Sequence, residues 1–273
     1  MARCAPASAR RARSSPPSGA SGLGVRLLRD SFPERPALDI AISHALLTRV
    51  GVGELDATLR LYRPGPTLAF GRLDALRPGF RRAGAAARGH GFEPVVRLAG
   101  GHAAGYHEDS LIYEEITPQP DVTAGLHERF RDRAALLAGA LDDLGVDARV
   151  GEIPGEYCAG AYTVSASGRI KLVGVAQRAV RGAALLTAFV LVAGGDRLRA
   201  ALIDVYRELE LEWDPRTAGA LDDVLAGASM VDVEQALLAA RARDRELTVA
   251  AIDDATLGLA HELEARHRWE EGR

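Results

Sequence analysis

Lysine is almost absent from this chain of 273 residues, in which Lys171 stands alone against 33 arginines. Cysteine is scarce too: only Cys4 and Cys158 occur, and two cysteines exclude a disulfide framework. No apolar run is long enough to cross a bilayer. Together these absences predict a protein of the reducing cytoplasm that has no membrane partner and carries Cys158 as a free thiol.

Basic residues are spread unevenly along the chain. The first 29 residues carry six arginines and no acidic residue, whereas the remainder has a net charge of -9. A body this acidic is a poor binder of nucleic acid, so no nucleic-acid partner is predicted. Residues 1–22 consist mainly of Ala, Arg, Ser, Pro and Gly, a composition that predicts a disordered tail.

The apolar patterns alternate irregularly between helix and strand periodicity. Helical spacing predicts helices at about 34–50, 79–90, 122–144 and 196–210. Short apolar runs between turn signals predict strands near 25–28, 58–62, 67–71, 94–98, 110–117, 161–166, 170–176 and 183–192. This order predicts an α+β fold with mixed or antiparallel sheets flanked by helices. Beyond Pro215 the pattern is purely helical, so we expect a main domain at 23–214 and a small helical extension at 215–273.

Lys171 lies inside the apolar run 170–176, which is typical of a buried strand. A buried lysine is costly unless it has a partner or a ligand. Its ammonium is a compact point charge, which the planar guanidinium of arginine cannot replace. Lys171 is therefore a candidate for chemistry, and the alternative is that its tip reaches out to water.

Two further features near this strand could carry chemistry. Gly100-Gly101 follows a strand directly, and paired glycines let backbone amides approach a ligand or an oxyanion, although they also form plain turns. Cys158 lies in a loop between Gly155 and Gly160 and is either a nucleophile beside a cation or a small core residue.

The turn Ser167-Gly168 sets a geometric condition on Cys158 and Lys171. If it is a two-residue hairpin turn, residue 164 pairs with Lys171, and Cys158 lies six strand positions from Lys171, or about 20 Å. The two side chains can then cooperate only if loop 155–160 folds back over the sheet.

Other sites are less clear from the sequence. Gln177-Arg178 and Arg181-Gly182 end a strand and either orient a substrate or form a solvated end. The seven histidines do not pair with other ligands at metal-binding spacing, so no metal site is predicted. No phosphate loop and no GxSxG elbow occurs.

Two blocks together resemble the lipoate-protein ligase A and octanoyltransferase family, over residues 25–210. The first is Arg97-x-x-Gly100-Gly101-x-Ala103 with His107, and the second runs from Gly168 to Arg178 and contains Lys171. The resemblance implies a biotin/lipoyl protein ligase-like catalytic domain with an acyl tunnel beside the glycines, in which Lys171 contacts the acyl carbonyl. The acyl-binding residues that it implies are Arg97, Gly100, Gly101, His102, His107, Gly174 and Gln177.

The family contains two chemistries. Its ligases adenylate lipoate with ATP, whereas its transferases form a thioester on a cysteine without ATP. Glu156-Tyr157-Cys158 is similar to the cysteine-dependent octanoyl-amidotransferase branch. This implies transfer of an octanoyl or lipoyl group to a lysine of a lipoyl domain, with Cys158 and Lys171 catalytic and no cofactor. An ATP- and Mg-dependent lipoate ligase and a non-catalytic binder of lipoyl domains or acyl chains remain as alternatives.

The implied partners are lipoyl-domain proteins, namely the glycine-cleavage H protein and the E2 subunit of 2-oxoacid dehydrogenases, and acyl carrier protein as another donor. The chain departs from the family pattern at Leu111-Ile112-Tyr113, where an Asn is common, and at Leu186-Thr187-Ala188, where His-Gly is usual. These departures weigh more against adenylation than against acyl transfer.

Overall fold

The computed structural model of the protein describes residues 24–270. In this range six α-helices are formed: α1 (Pro36–Gly51), α2 (Phe80–Gly89), α3 (Leu126–Asp142), α4 (Gly195–Glu208), α5 (Met230–Ala242) and α6 (Asp254–Leu263). The strands of the same range are β1 (Gly24–Leu28), β2 (Thr58–Tyr62), β3 (Thr67–Phe70), β4 (Glu93–Val96), β5 (Ala104–Tyr106), β6 (Ser110–Gln119), β7 (Ala148–Val150), β8 (Val164–Ala166), β9 (Ile170–Val180), β10 (Gly182–Leu191) and β11 (Glu246–Val249).

The strands form one large and one small sheet. The large sheet has the order β11-β1-β2-β6-β10-β9-β8-β7, in which β1 is parallel to both of its neighbours and the other pairs are antiparallel. The small sheet has the order β4-β3-β5 and is also mixed. The predicted mixed sheets flanked by helices are confirmed.

Strand β10 shows how the large sheet buries both of its faces. Leu185, Phe189 and Leu191 pack into one apolar core together with α1, whereas Ala188 and Val190 pack into a second core with α3 and α5. Successive side chains of a strand point to opposite faces, so an apolar run without polar alternation produces a strand that is covered on both sides. Within residues 24–270 no helix is long and apolar enough to span a membrane.

The chain beyond Pro215 differs from its purely helical prediction. Strand β11 joins the large sheet in parallel with β1, and helix α6 packs against α1. The strand was missed because it has only four residues, most of them exposed, and its partner lies more than 200 positions away in the sequence. The predicted tail at 1–22 lies outside the described residues.

The hairpin between β8 and β9 also differs from the prediction. Ala166 pairs with Ile170 and Ser165 with Lys171, so the loop has three residues and residue 164 is not the partner of Lys171. Ser167 and Gly168 both have positive φ, and an irregularity between Val164 and Ser165 shifts the register. Loops of this length end in a bulge, which the two-residue interpretation did not allow. Helix α3 similarly begins at Leu126 rather than 122, after Gly125 in a left-handed conformation.

Candidate active site around Cys158

The loop between β7 and β8 is held in shape by Glu156, whose side chain is fully buried. Its carboxylate accepts hydrogen bonds from the Ile153 amide at 3.1 Å, the Gly160 amide at 3.4 Å and the Thr163 hydroxyl at 2.8 Å. A buried carboxylate with several donors gathers the backbone around it. The loop is thereby closed on itself and presents its middle to the sheet.

Lys171 connects this loop to strand β9. Its Nζ lies 2.8 Å from Glu156 Oε2 and donates to the carbonyl oxygens of Tyr157 and Cys158, each at 3.0 Å. The residue is only 2% exposed, so its tip does not reach water. The loop does fold back over the sheet, which is the condition that the strand pattern set. All three donors of the ammonium are engaged with the protein.

Cys158 has a left-handed backbone with φ of 45°, which is unusual for a residue with a side chain. Its half-buried Sγ accepts a hydrogen bond from Nη2 of Arg97 at 3.4 Å. Residues held in sparsely populated conformations concentrate at functional sites. A thiol in a Gly-flanked loop, in contact with a guanidinium, fits a nucleophile better than a core residue.

The glycine pair approaches this thiol closely. At Gly101, which has φ of 95°, an added Cβ would lie 2.8 Å from Sγ of Cys158 and 2.5 Å from Nη2 of Arg97. At Gly100 an added Cβ would meet nothing within 4 Å. The two glycines therefore differ, because only Gly101 is required for the contact between Arg97 and Cys158.

His102 and Asp74 hold the glycine segment, residues 100–101, in place through a neighbouring turn at Gly71. Nδ1 of His102 lies 2.7 Å from Oδ1 of the buried Asp74, whose Oδ2 accepts a hydrogen bond from the Gly71 amide at 2.9 Å. Gly71 itself touches this segment, since an added Cβ there would lie 1.8 Å from the carbonyl oxygen of Gly101. His102 was predicted to bind the acyl group, but it faces Asp74 and lines neither of the cavities described next.

Two adjoining cavities share part of their lining, and the outer one opens next to Cys158. The outer cavity, of about 410 Å³, is lined by the thiol together with Gly100, Gly101, Lys171 and Gln177. The inner cavity, of about 40 Å³, leads between α1 and the sheet. The residues that line both are Arg97, Ala104, Gly174, Ala176 and Phe189.

The walls of the inner cavity are mainly apolar, with a polar group on one side. Glu114 and Ser43 belong to this lining, and Ser43 donates a hydrogen bond of 2.5 Å to the Glu114 carboxylate. Burial raises the pKa of Glu114, against the opposing charge of Arg60. A narrow apolar channel of this kind suits an unbranched alkyl chain better than a polar ligand.

Gly174 and Gln177 on β9 contribute to the cavities in different ways. An added Cβ at Gly174 would lie 2.4 Å from the ring of Phe189 on the neighbouring strand, so the glycine makes room for that ring. Gln177 donates to the carbonyl oxygen of Leu126 at 2.9 Å and accepts from Nε of Arg129 at 3.2 Å. Both were predicted as acyl-binding residues, and both line the outer cavity.

His107 lies apart from the other residues that were predicted to bind the acyl group. It is buried against Phe92 and Gly194, its Nδ1 accepts from the Asp109 amide at 3.2 Å, and it lines neither cavity. Burial lowers its pKa, which favours the neutral ring. Its ten-residue spacing from Arg97 gave no sign of this, because strand β5 carries the chain away from the glycine segment.

Sequence reasoning missed two parts of the site. Tyr162 and Phe130 stack with ring centroids 4.8 Å apart and line the outer cavity. Glu156 was noted only as a neighbour of Cys158. A buried lysine needs a partner or a ligand, and Glu156 is the acid that Lys171 contacts.

Comparison with known proteins identifies the family. The model of the lipoyl protein ligase A/B catalytic domain matches residues 35–240. The chain belongs to this family. A protein of Geobacillus kaustophilus named octanoyl-GcvH:protein N-octanoyltransferase is 34% identical over 185 residues, which cover 68% of this chain and 65% of that protein. A protein of the same name from an Exiguobacterium species is 28% identical over 182 residues, or 63% of this chain and 64% of its own length.

The matches thus span just under two thirds of the length of these curated relatives. Among solved structures, lipoate-protein ligase A bound with ATP superposes with a TM-score of 0.70 at 21% identity, over 89% of this chain and 95% of that one. A T. acidophilum lipoate protein ligase-like protein with bound lipoic acid superposes over the same shares with a TM-score of 0.71, also at 21% identity. These structures confirm the predicted fold.

Proposed function

We propose that this protein transfers an octanoyl group between lysines of lipoyl-domain proteins through a thioester on Cys158. The main support is the position of the thiol, because its Sγ contacts Arg97 at the wall of the outer cavity, next to the apolar inner cavity. The names of the Geobacillus and Exiguobacterium relatives describe this kind of transfer from GcvH.

In the first half-reaction the Cys158 thiolate attacks the carbonyl carbon of the octanoyl amide on the donor. A C–S bond forms, and the electron pair of the carbonyl moves to oxygen. Backbone amides near Gly100-Gly101 are suited to stabilise this oxyanion. Its collapse breaks the C–N bond, and the released lysine amine takes up a proton from water.

In the second half-reaction the amine of the acceptor lysine attacks the thioester carbon. A C–N bond forms, the C–S bond breaks, and the thiolate of Cys158 returns while one proton passes to water. One amide is exchanged for another, so the transfer needs neither ATP nor an oxidant. The proposed chemistry therefore uses no cofactor.

Lys171 is the second residue on which the proposed reaction depends. Its ammonium contacts Glu156 and the carbonyl oxygens of Tyr157 and Cys158. These contacts hold the loop so that Sγ points to the cavity. A direct contact with the acyl carbonyl would have to replace one of them, so holding Cys158 in place is the role that its contacts favour.

We propose the glycine-cleavage H protein as the donor and the lipoyl domain of an E2 subunit as the acceptor, with octanoyl acyl carrier protein as the rival donor. The relatives' names give GcvH as their donor, and a Listeria monocytogenes relative, 24% identical, is named for lipoyl transfer from the same protein. Which acyl group is preferred follows from testing octanoyl and lipoyl donors side by side.

The test is a transfer assay with purified proteins. Octanoylated GcvH and an unmodified E2 lipoyl domain are mixed with the enzyme in the absence of ATP, and octanoylation of the acceptor is followed by mass spectrometry. We expect transfer by the wild type and none by Cys158→Ser. Acylation of the acceptor that needs free lipoate and ATP and continues in Cys158→Ser would establish the ligase instead. Stable binding of the acceptor without transfer under either condition would establish a binding protein.

A further inference from the structure

We infer that Arg97, rather than Lys171, is the cation that stabilises the thiolate of Cys158, and that Lys171 is a positioning residue. The inference rests on the proposed role of Cys158 as a nucleophile and assigns a separate task to each of the two cations. The sequence predicted Arg97 only as an acyl-binding residue.

The contacts of the two cations differ. Nη2 of Arg97 lies 3.4 Å from Sγ of Cys158, whereas Nζ of Lys171 reaches the backbone carbonyls of the loop. The charge of Lys171 is paired with Glu156 at 2.8 Å inside the protein. Arg97, in contrast, donates within the range 24–270 to the carbonyl oxygen of His102 and to Sγ of Cys158, and neither partner is a carboxylate. Its positive charge is therefore available to the sulfur.

The guanidinium of Arg97 is held where it can act. Nη2 also donates to the carbonyl oxygen of His102 at 2.6 Å, which fixes the side chain against the glycine segment. Gly101 has no side chain to intervene, since an added Cβ would lie 2.5 Å from Nη2 and 2.8 Å from Sγ. The glycine thus serves the contact between cation and thiol.

A second donor of Arg97 makes no hydrogen bond within residues 24–270. Its Nε is buried and has no hydrogen-bond partner in the described part of the chain. Buried donors are rarely left unpaired, so this group calls for an acceptor that the described residues do not supply. Because Arg97 lines both cavities, an acceptor atom of the bound acyl donor can satisfy this group.

The chemistry follows from the nature of guanidinium. Arg97 stays protonated at any pH at which the protein works, so it cannot take the thiol proton, which passes to water. It acts by a charge-assisted hydrogen bond to the thiolate that remains. A positive charge held against the sulfur favours the thiolate over the thiol.

The test is the pH profile of Cys158 alkylation by iodoacetamide, measured on the Cys158 peptide so that Cys4 does not contribute. We expect Arg97→Gln to raise the midpoint of the profile by about one pH unit. Arg97→Lys keeps the charge but not the planar guanidinium, and its midpoint should lie between those of the wild type and Arg97→Gln. Arg131→Gln is the matched control, because it removes an exposed guanidinium that pairs with Asp132, and it should leave the midpoint unchanged.

The role of Lys171 is tested by the double variant Glu156→Gln/Lys171→Met, which removes both charges of the buried pair. We expect it to slow acyl transfer and to shift the midpoint of alkylation less than Arg97→Gln does, because Arg97 keeps its charge. An unchanged midpoint in Arg97→Gln would overturn the inference. A larger shift of the midpoint in the double variant than in Arg97→Gln would overturn it as well. If Arg97→Gln melts below the assay temperature, Arg97→Met, which also removes the charge but keeps a long side chain, decides by the same criterion.

Alkylation needs no acyl donor, so this inference and the proposed function fail separately. A shifted midpoint in Arg97→Gln without an octanoyl adduct on Cys158 would keep the assignment of Arg97 and refute the proposed transferase. An octanoyl adduct on Cys158 together with an unshifted midpoint in Arg97→Gln would support the proposed transferase and refute the assignment of Arg97.

Discussion

Nζ of Lys171 and Oε2 of Glu156 lie 2.8 Å apart in the interior of the protein, one on strand β9 and the other in the loop that carries Cys158. This pair joins the loop to the sheet, because Lys171 also holds the carbonyl oxygens of residues 157 and 158. The position of the thiol therefore depends on a charge pair that does not touch it.

Breaking this pair on one side should destabilise the protein strongly. Lys171→Met leaves the Glu156 carboxylate buried without its cation, and such a loss costs about 3–5 kcal/mol of unfolding free energy. Replacing both residues, in Glu156→Gln/Lys171→Met, should cost clearly less. Urea unfolding of the three proteins measures the difference, and equal losses in the single and double variants would show that the pair does not stabilise the fold.

The two glycines beside Cys158 should respond differently to the same substitution. Gly101→Ala places Cβ against Sγ and Arg97 at a positive φ and should lower the rate of acyl transfer on the order of 100-fold, by moving the nucleophile. Gly100→Ala meets nothing within 4 Å and is the matched comparison, expected to lower the rate much less. Equal rates in the two variants would mean that the close approach at Gly101 is unimportant.

Gly174 should control access to the inner cavity through Phe189. An added methyl group lies 2.4 Å from the Phe189 ring and should push that ring into the channel. We expect Gly174→Ala to raise KM for the octanoyl donor about tenfold, a typical cost of overpacking. The second change Phe189→Leu should restore KM, and steady-state kinetics of the single and double variants tests this. No recovery would place the effect in the backbone of β9.

Stability should depend on pH through a pair of histidines. Nδ1 of His44 lies 3.0 Å from Nε2 of His267, and burial, followed by the charge of His267, lowers the pKa of His44 from 6.5 to about 4. The unfolded chain thus binds this proton more readily, and stability present above pH 6.5 is lost as the pH falls toward 4.

His44→Gln should make this loss smaller, because one proton fewer is taken up on unfolding. The measurement is the urea midpoint at pH 7.0, 5.5 and 4.5. His127→Gln, at an exposed position, is the control and should follow the wild type. If His44→Gln follows the wild type as well, the histidine pair is not the source of the pH dependence.

Much of the site could be predicted from the sequence because its signals are local. An isolated lysine in an apolar strand predicted a buried cation that needs a partner, and Gly155 and Gly160 allowed the loop between them to fold back. The recognition of the family joined these residues to Gly100-Gly101 and Gln177, which line the same cavity.

The remainder depends on long-range packing that local patterns do not encode. Glu156 could not be assigned to Lys171 until the fold of the loop was known. His107 lies outside the site because the chain after β5 places it against Gly194. The irregularity beside Ser165 changes the register of the hairpin. Strand β11 forms only because β1 offers a free edge far away in the sequence.

Intact-mass analysis can show whether Cys158 carries the acyl group. The enzyme is incubated with octanoylated GcvH alone, without an acceptor and without ATP, and the adduct is located by peptide mapping. We expect one octanoyl group on Cys158, removed by hydroxylamine and absent from Cys158→Ser. An enzyme that gains no octanoyl group while it still acylates a lipoyl domain, or an adduct that persists in Cys158→Ser, would contradict this expectation.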